Sequence, residues 1–302
     1  MKIKNYILPF IALILVLYYV ITNMSGEKQL TYKLLPEDLA IKKIVYKNDD
    51  LLFTMVEEEK GWHLSEPENW PADVNKVNDI LTNLNNTEII TNISASNSSE
   101  DNDKKYGFDK GNYLLLNGNK EVKMYIGKKD SSYKMVYVKL ENENKIKLVN
   151  ASFTNYLPIS LNQIKDKTIY SFDTENLEKF SFNIDNNQYE IIRSGDRLLI
   201  NNKILDDNVT TEYIKNIASL EADTFYDNNT MPDNVTKAGI ISIKTKDMPK
   251  TNLVIYHSKK ENDYLIPSEG ESVFKIYNFS MERFIEKFSK TTPYKEDVKK
   301  ED

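Results

Sequence analysis

Beyond residue 40 the chain alternates between apolar and polar residues, which predicts short β-strands with one buried face. The first strands are predicted around Ile41, Ile44 and Tyr46, then over Leu51–Val56, then around Trp62 and Leu64. The spacing then becomes helical. Asp73 is a predicted N-cap, and four apolar residues follow it at intervals of three or four: Val74, Val77, Leu81 and Leu84. Further strands are predicted at Glu88–Thr91, Tyr113–Leu116, Val122–Ile126, Lys134–Leu140 and Lys145–Val149.

The apolar pattern of the first half returns in the second half. Matched pairs stand 136 residues apart up to the helix and 128 apart beyond it: Ile44 with Phe180, Trp62 with Leu198, Leu81 with Ile217, Leu148 with Ile276. We therefore predict an α+β fold with two tandem repeats, 41–167 and 168–289. Each repeat is expected to be a mostly antiparallel sheet packed with one main helix and a short closing helix. In the first repeat the closing helix is predicted at Phe153, Tyr156 and Leu157.

The N-terminal segment Tyr6–Thr22 contains 17 residues without a charge, and Lys2 and Lys4 precede it. Its length favours a single transmembrane helix, and the lysines favour a cytoplasmic N-terminus. We predict a cytoplasmic stub and anchor at 1–24, an extracytoplasmic stalk at 25–40 and a flexible charged tail at 290–302. A cleaved signal peptide is the alternative, although residues 23–26 (Asn-Met-Ser-Gly) make a poor cleavage site.

Composition excludes several kinds of chemistry. The chain has no cysteine, which removes disulfides, thiolate metal sites and cysteine nucleophiles, and it has only two histidines, His63 and His257. The net charge of −6 and the lack of a basic stripe argue against a nucleic-acid partner. No cofactor and no metal is predicted. Asp101 and Asp103 begin like a calcium loop, but Lys105 and Tyr106 occupy positions that such a loop needs for a ligand and a glycine.

No catalytic motif is present, and the sequence predicts no catalytic residue. Among the aromatic residues, Trp62 shares its face with Leu64 and is expected in the core. Trp70 lies in a polar loop before the helix, and Tyr106 lies beside another polar segment. Aromatic side chains in such places can contact a partner. Trp70 and Tyr106 are therefore the candidate contact residues.

Four motifs, in their order, resemble a bacterial family known as domain of unknown function 4340. They are Gly61-Trp62-His63-Leu64 with Pro67 and Pro71-Ala72-Asp73-Val74, then Tyr106-Gly107-Phe108-Asp109, then Tyr125-Ile126-Gly127, then the charged joint Lys165-Asp166-Lys167. The resemblance runs from about Trp62 to Phe225, and Phe108 and Lys110 depart from the usual Leu and Pro. It implies one N-terminal membrane helix and genes often found beside ABC-type transport components, and it supplies no catalytic residues.

The leading hypothesis is a non-enzymatic, single-pass protein of the bacterial envelope. Its extracytoplasmic part would bind a partner such as an ABC-type permease or another envelope protein. One alternative is a module that binds cell-wall glycan or lipid through Trp70 and Tyr106. Another is an enzyme of unknown type, with a hydrolase-like activity.

Overall fold

The structure is a computed structural model that describes residues 14–16, 18–19, 32–93, 99–195, 197–204, 214–215, 217–226, 230–268 and 272–289. The chain divides into two compact units, and the division falls between Lys165 and Asp166. Each unit is built around one large antiparallel sheet.

The first unit contains a ten-stranded sheet with the order β1-β6-β10-β9-β8-β7-β2-β3-β4-β5. Its strands are β1 (Tyr32–Lys33), β2 (Ile41–Lys47), β3 (Leu52–Glu58), β4 (Gly61–Glu66), β5 (Trp70–Pro71), β6 (Glu88–Ile93), β7 (Tyr113–Gly118), β8 (Glu121–Lys129), β9 (Met135–Leu140) and β10 (Ile146–Asn150). Both edge strands have only two residues, and very short edges limit unwanted pairing with other chains.

Helix α1 (Val74–Asn85) covers part of this sheet. It begins where the sequence predicts, because the Asp73 carboxylate accepts hydrogen bonds from the backbone N–H groups of Asn75 and Lys76 at 2.9 and 3.2 Å. Val77, Ile80 and Leu84 form its buried stripe. They pack into one core with inward-facing strand residues, among them Trp62, whose predicted burial is confirmed.

Two shorter elements complete the first unit. Helix α2 (Ser99–Tyr106) forms in a segment whose polar character predicts a loop. Acidic residues in its first turn and lysines in its last turn complement the helix dipole, which explains why so polar a segment is helical. The predicted closing helix is a short 3-10 helix, Ala151–Asn155, which buries Ala151 and Phe153.

The second unit contains a nine-stranded sheet with the order β15-β14-β13-β12-β18-β19-β20-β21-β17, and a separate pair of strands, β11 and β16. The strands are β11 (Thr168–Ser171), β12 (Leu177–Ile184), β13 (Asn187–Ser194), β14 (Arg197–Ile200), β15 (Lys203–Ile204), β16 (Ser219–Glu221), β17 (Thr224–Phe225), β18 (Val235–Thr245), β19 (Thr251–Ser258), β20 (Asp263–Pro267) and β21 (Val273–Ile276). Helix α3 (Asn278–Ser289) follows the last strand.

The two large sheets share one order over nine strands. Read from β5 and from β15, each runs through four consecutive strands backwards, then four forwards, and then a strand that precedes those four in the chain; the first sheet then adds β1 as its tenth strand. The registers also agree: Ile44 faces Met55 and Tyr46 faces Phe53 in the first sheet, while Phe180 faces Ile191 and Phe182 faces Tyr189 in the second. Each residue of the second set stands 136 positions after its counterpart. The two units therefore share one topology.

The predicted α+β fold class is wrong, because the described residues form mostly antiparallel sheet with few helices. The closing elements also differ, being a five-residue 3-10 helix in the first unit and the twelve-residue α3 in the second. The physical reason is that inward-facing strand residues supply most of each core, so that sheets of nine and ten strands need little helical cover.

The predicted N-terminal transmembrane helix is not seen among the residues that the structure describes, where no helix has both the length and the apolar composition needed to cross a membrane. Most of Tyr6–Thr22, and the whole predicted tail 290–302, lie outside the described residues. Of the predicted stalk, residues 32–40 join the first unit, where Leu34, Leu35 and Leu39 are buried in the core.

Candidate functional site

Trp70 lies in edge strand β5, opposite Leu64 of β4, and its half-buried ring packs against the core of the first unit. The Lys165 Nζ atom lies 4.8 Å from the centre of this ring and 3.0 Å from Glu68 Oε2. Only 1% of Lys165 is exposed, so the ring and the carboxylate together enclose a buried cation. Trp70 therefore has a structural role in covering this ion pair.

Tyr106 lies at the end of α2 and is buried. Its ring is 4.8 Å from that of Tyr137, and it forms a small cluster with Phe108 and Ile146. This cluster is separate from the core against which Trp70 packs. The structure thus places the two candidate contact residues apart and turns the Tyr106 ring inward, and their role as partner contacts stays a prediction.

The acidic and histidine residues considered as candidates in the sequence make ordinary ion-pair or ring contacts. Asp103 forms an ion pair with Lys139, with 3.3 Å between Oδ1 and Nζ. His63 Nε2 lies 3.4 Å from Glu58 Oε1, and His257 packs against Tyr264. Within the described part of the chain, no group of three histidine or acidic residues could hold a metal ion.

A different surface of the first unit displays apolar side chains. Tyr133 is 76% exposed at the tip of the turn between β8 and β9, and Tyr156 and Ile159 are 45% and 79% exposed in the segment after the 3-10 helix. Tyr133 lines a shallow cleft of about 270 Å3. The remaining cleft residues are Lys129, Lys134, Asn150, Ala151, Ser152 and Asn155. We call this cleft, together with Tyr156 and Ile159, the Tyr133 surface.

The backbone of the Tyr133 surface is held in place by local hydrogen bonds. Asp130 accepts from the Ser132 hydroxyl and from Met135 N–H, and Tyr133 N–H donates to the Asp130 carbonyl at 3.1 Å. The hydrogen bond from Ser132 is the main reason that the pKa of Asp130 is lowered. Asn150 caps the 3-10 helix through Ser152 N–H, and the Gln163 side chain accepts from Ile159 N–H. Such order reduces the entropy that a partner must offset on binding.

The backbone of Tyr133 itself has a φ of 60°, in the left-handed region that non-glycine residues rarely adopt. The turn therefore keeps a large aromatic residue in a costly conformation while leaving its side chain in solvent. Exposed aromatic residues on an ordered backbone are typical anchors of protein interfaces. With Lys129 and Lys134 beside it, the Tyr133 surface suits a partner that presents an apolar pocket flanked by acidic groups.

One family matches the chain in comparisons with known proteins. Its description is "Domain of unknown function (DUF4340)", and the match covers residues 62–238, more than half of the chain. The chain belongs to the DUF4340 family. No curated protein and no solved structure matches the chain.

The DUF4340 match includes the whole Tyr133 surface, although sequence reasoning did not select it. The signal that could have indicated this surface is the position of large apolar residues in turns: Tyr133 follows Asp130-Ser131-Ser132, and Ile159 follows Pro158. Tyr156 was misleading, because its helical spacing with Phe153 suggests burial. The segment forms only a short 3-10 helix, so that Phe153 is buried while Tyr156 remains exposed.

Proposed function

We propose that this DUF4340 protein is a non-enzymatic binding subunit of a bacterial envelope complex, and that its partner is a subunit of an ABC-type transporter. The observation that carries the proposal is the Tyr133 surface, where the exposed Tyr133 lines a cleft with two lysines and where Tyr156 and Ile159 are exposed shortly after Asn155 of the cleft lining. The transporter as partner comes from the resemblance to the family. We propose that both units lie outside the cytoplasmic membrane and that the N-terminus lies in the cytoplasm.

The contact would have Tyr133 and Ile159 as anchors and Lys129 and Lys134 at its rim. Aromatic anchors bind by filling a pocket from which water is excluded, whereas rim lysines mainly speed the approach of an acidic partner. The glycan or lipid alternative based on Trp70 and Tyr106 gains no support from the inward packing of these rings.

Site-specific photocrosslinking in the native cells tests the proposal. A photoreactive phenylalanine analogue replaces Tyr133 or Ile159, and in control variants it replaces Leu52 of the first unit or Met248 of the second, both of which are also exposed. We expect adducts from the first two positions that mass spectrometry identifies as an ABC-type permease or ATPase subunit, and no such adduct from the controls.

A second variant tests the rim. Replacing Lys129 and Lys134 together by Glu should reduce the yield of the Tyr133 adduct, because an acidic partner is then repelled. Recovery of only uncrosslinked monomer from both test positions would contradict the proposal. The same transporter adduct from all four positions would also contradict it, since the contact would then be non-specific.

A further inference from the structure

The second unit contains an open cleft of about 490 Å3 that the proposed partner contact does not use. It lies where β17, β20 and β21 come together, and its lining is mainly polar. The lining residues are Thr224, Phe225, Tyr226, Glu261, Asp263, Lys275 and Tyr277. Three charged residues and two tyrosines thus line one concave surface.

A lysine shared by two carboxylates forms the polar centre of the cleft. The Lys275 Nζ atom lies 2.6 Å from Glu261 Oε2 and 3.2 Å from Asp263 Oδ2. Burial alone would lower the pKa of Lys275, but the hydrogen bonds that it donates to both acids outweigh burial and raise it. Asp263 Oδ1 also accepts from Asn278 N–H at 3.2 Å, so that the network is fixed to the start of α3. The three charges sum to −1, which disfavours an anionic ligand.

The first unit shows that the shared fold does not require these polar residues. Strand pairing, traced across each sheet from the matched residues Tyr46 and Phe182, makes Phe274 the counterpart of Lys147 and Ile276 that of Val149. Lys275 therefore stands where the first unit has Leu148, and Asp263 where it has Met135. A lysine and an acid thus occupy positions at which the same topology folds with two apolar residues.

We propose that this cleft binds a neutral, hydroxyl-rich ligand, namely a glycan. Sugar rings can pack their apolar faces on the rings of Tyr226 and Tyr277, while their hydroxyl groups donate to Glu261 and Asp263 and accept from Lys275. A purely apolar ligand would remove water from this charged network without replacing the hydrogen bonds that the water makes. The inference is independent of the proposed partner contact, which lies in the other unit.

The test is calorimetric titration of the full chain with maltotriose, cellotriose and chitotriose, and with trigalacturonic acid as an anionic comparison. We expect at least one neutral trisaccharide to bind with a Kd on the order of 1 mM or tighter, since an open cleft supports only modest affinity. The anionic sugar should bind at least about tenfold more weakly, because Glu261 and Asp263 repel it. Tyr277→Val, which removes the aromatic ring, should weaken sugar binding about tenfold or more, and Glu261→Gln about threefold or more.

Tyr32→Ala is the matched control, because it removes an exposed tyrosine from the other unit and should leave sugar binding unchanged. Amide hydrogen exchange of the unaltered chain gives a second reading that does not depend on any variant folding. Bound sugar should slow exchange at residues 261–265 and 273–278 and nowhere in the first unit. Absence of binding by all three neutral sugars at 10 mM would overturn the proposal. Equal binding by the folded Tyr277→Val variant, or binding of spermidine without any sugar, would do the same.

Discussion

The buried ammonium group of Lys165 depends on two neighbours in the first unit. Glu68 and the Trp70 ring surround it, and the Glu68 side chain is itself largely shielded from solvent. We expect Glu68→Ala to lower the free energy of unfolding by about 2 kcal/mol, because it weakens the compensation of a cation that stays buried. Urea denaturation followed by circular dichroism measures the change.

Lys165→Met provides the contrast for this pair. Methionine fills a similar volume without a charge, so this variant should stay within about 1 kcal/mol of the original chain. Adding Glu68→Ala to Lys165→Met should then cost much less than Glu68→Ala alone. If the two effects simply add, the ion pair does not have the energetic role that its burial indicates.

In contrast to Lys165, Tyr170 carries a buried hydroxyl group that contributes little to stability. Its ring packs against Phe172 and Phe180, and among the described residues its hydroxyl has no hydrogen-bond partner. Tyr170→Phe removes an unsatisfied hydroxyl and should raise the free energy of unfolding by up to about 1 kcal/mol at pH 7. Tyr133→Phe, at an exposed position, should have almost no effect in the same urea assay.

The pH dependence of this gain has a definite sign. Burial raises the pKa of Tyr170, so the folded state favours the neutral phenol over the phenolate. The stability associated with that preference is complete below the unfolded pKa of about 10 and is lost as the pH rises beyond it. The advantage of Tyr170→Phe should therefore grow between pH 10 and pH 11. An advantage that stays constant over this range would mean that the phenol is accessible to water in the folded state.

At the scale of elements, Asp223 connects the strands of the second unit to α3. It lies between β16 and β17, and its carboxylate accepts from Tyr277 N–H at 2.8 Å and from the Ser280 hydroxyl at 2.9 Å. Asp223→Ala should lower the free energy of unfolding by about 1–2 kcal/mol, because the start of α3 loses its cap. Asp247→Ala removes an exposed acid from the same unit and should change it by less than about 0.5 kcal/mol. Equal effects of the two substitutions would contradict the cap.

Sequence reasoning found elements where local signals are strong. The N-cap Asp73 and the stripe of α1 identify that helix, because both depend on residues close together in the chain. The fold class was wrong because alternation reveals single strands but not how many of them join one sheet. Helix α2 was missed because its stability depends on charge placement and on burial of Tyr106, neither of which gives an apolar period.

The candidate sites were harder to predict than the elements. Trp70 and Tyr106 were selected as aromatic residues near polar segments, yet both rings pack inward. Exposure depends on what the rest of the chain brings against a side chain, so Tyr133 and Tyr156 could not be distinguished from core residues by pattern alone. The Lys275 cleft joins residues from β17, β20 and β21, and only their pairing reveals that Lys275 and Asp263 correspond to Leu148 and Met135 of the first unit.

At the scale of the whole molecule, the charged joint Lys165-Asp166-Lys167 connects the two units, and each of its residues makes contacts within its own unit. Lys165 pairs with Glu68 in the first unit. In the second unit Asp166 accepts from the N–H and hydroxyl groups of Thr168, and Lys167 donates to the Asp223 carbonyl. These three consecutive charged residues thus make hydrogen bonds and ion pairs in two different units. We therefore expect each unit to fold without the other, as domains with their own cores do.

Separate expression of residues 32–165 and 166–289 tests this expectation. Each fragment should be soluble and show strand-rich circular dichroism, and each should unfold cooperatively at a midpoint close to one transition of the intact chain. Glu68→Ala should shift only the transition of the first fragment and Asp223→Ala only that of the second, because each substitution removes contacts confined to one unit. A fragment that is unfolded alone, or one substitution that moves both transitions equally, would show that the two sheets form a single cooperative unit.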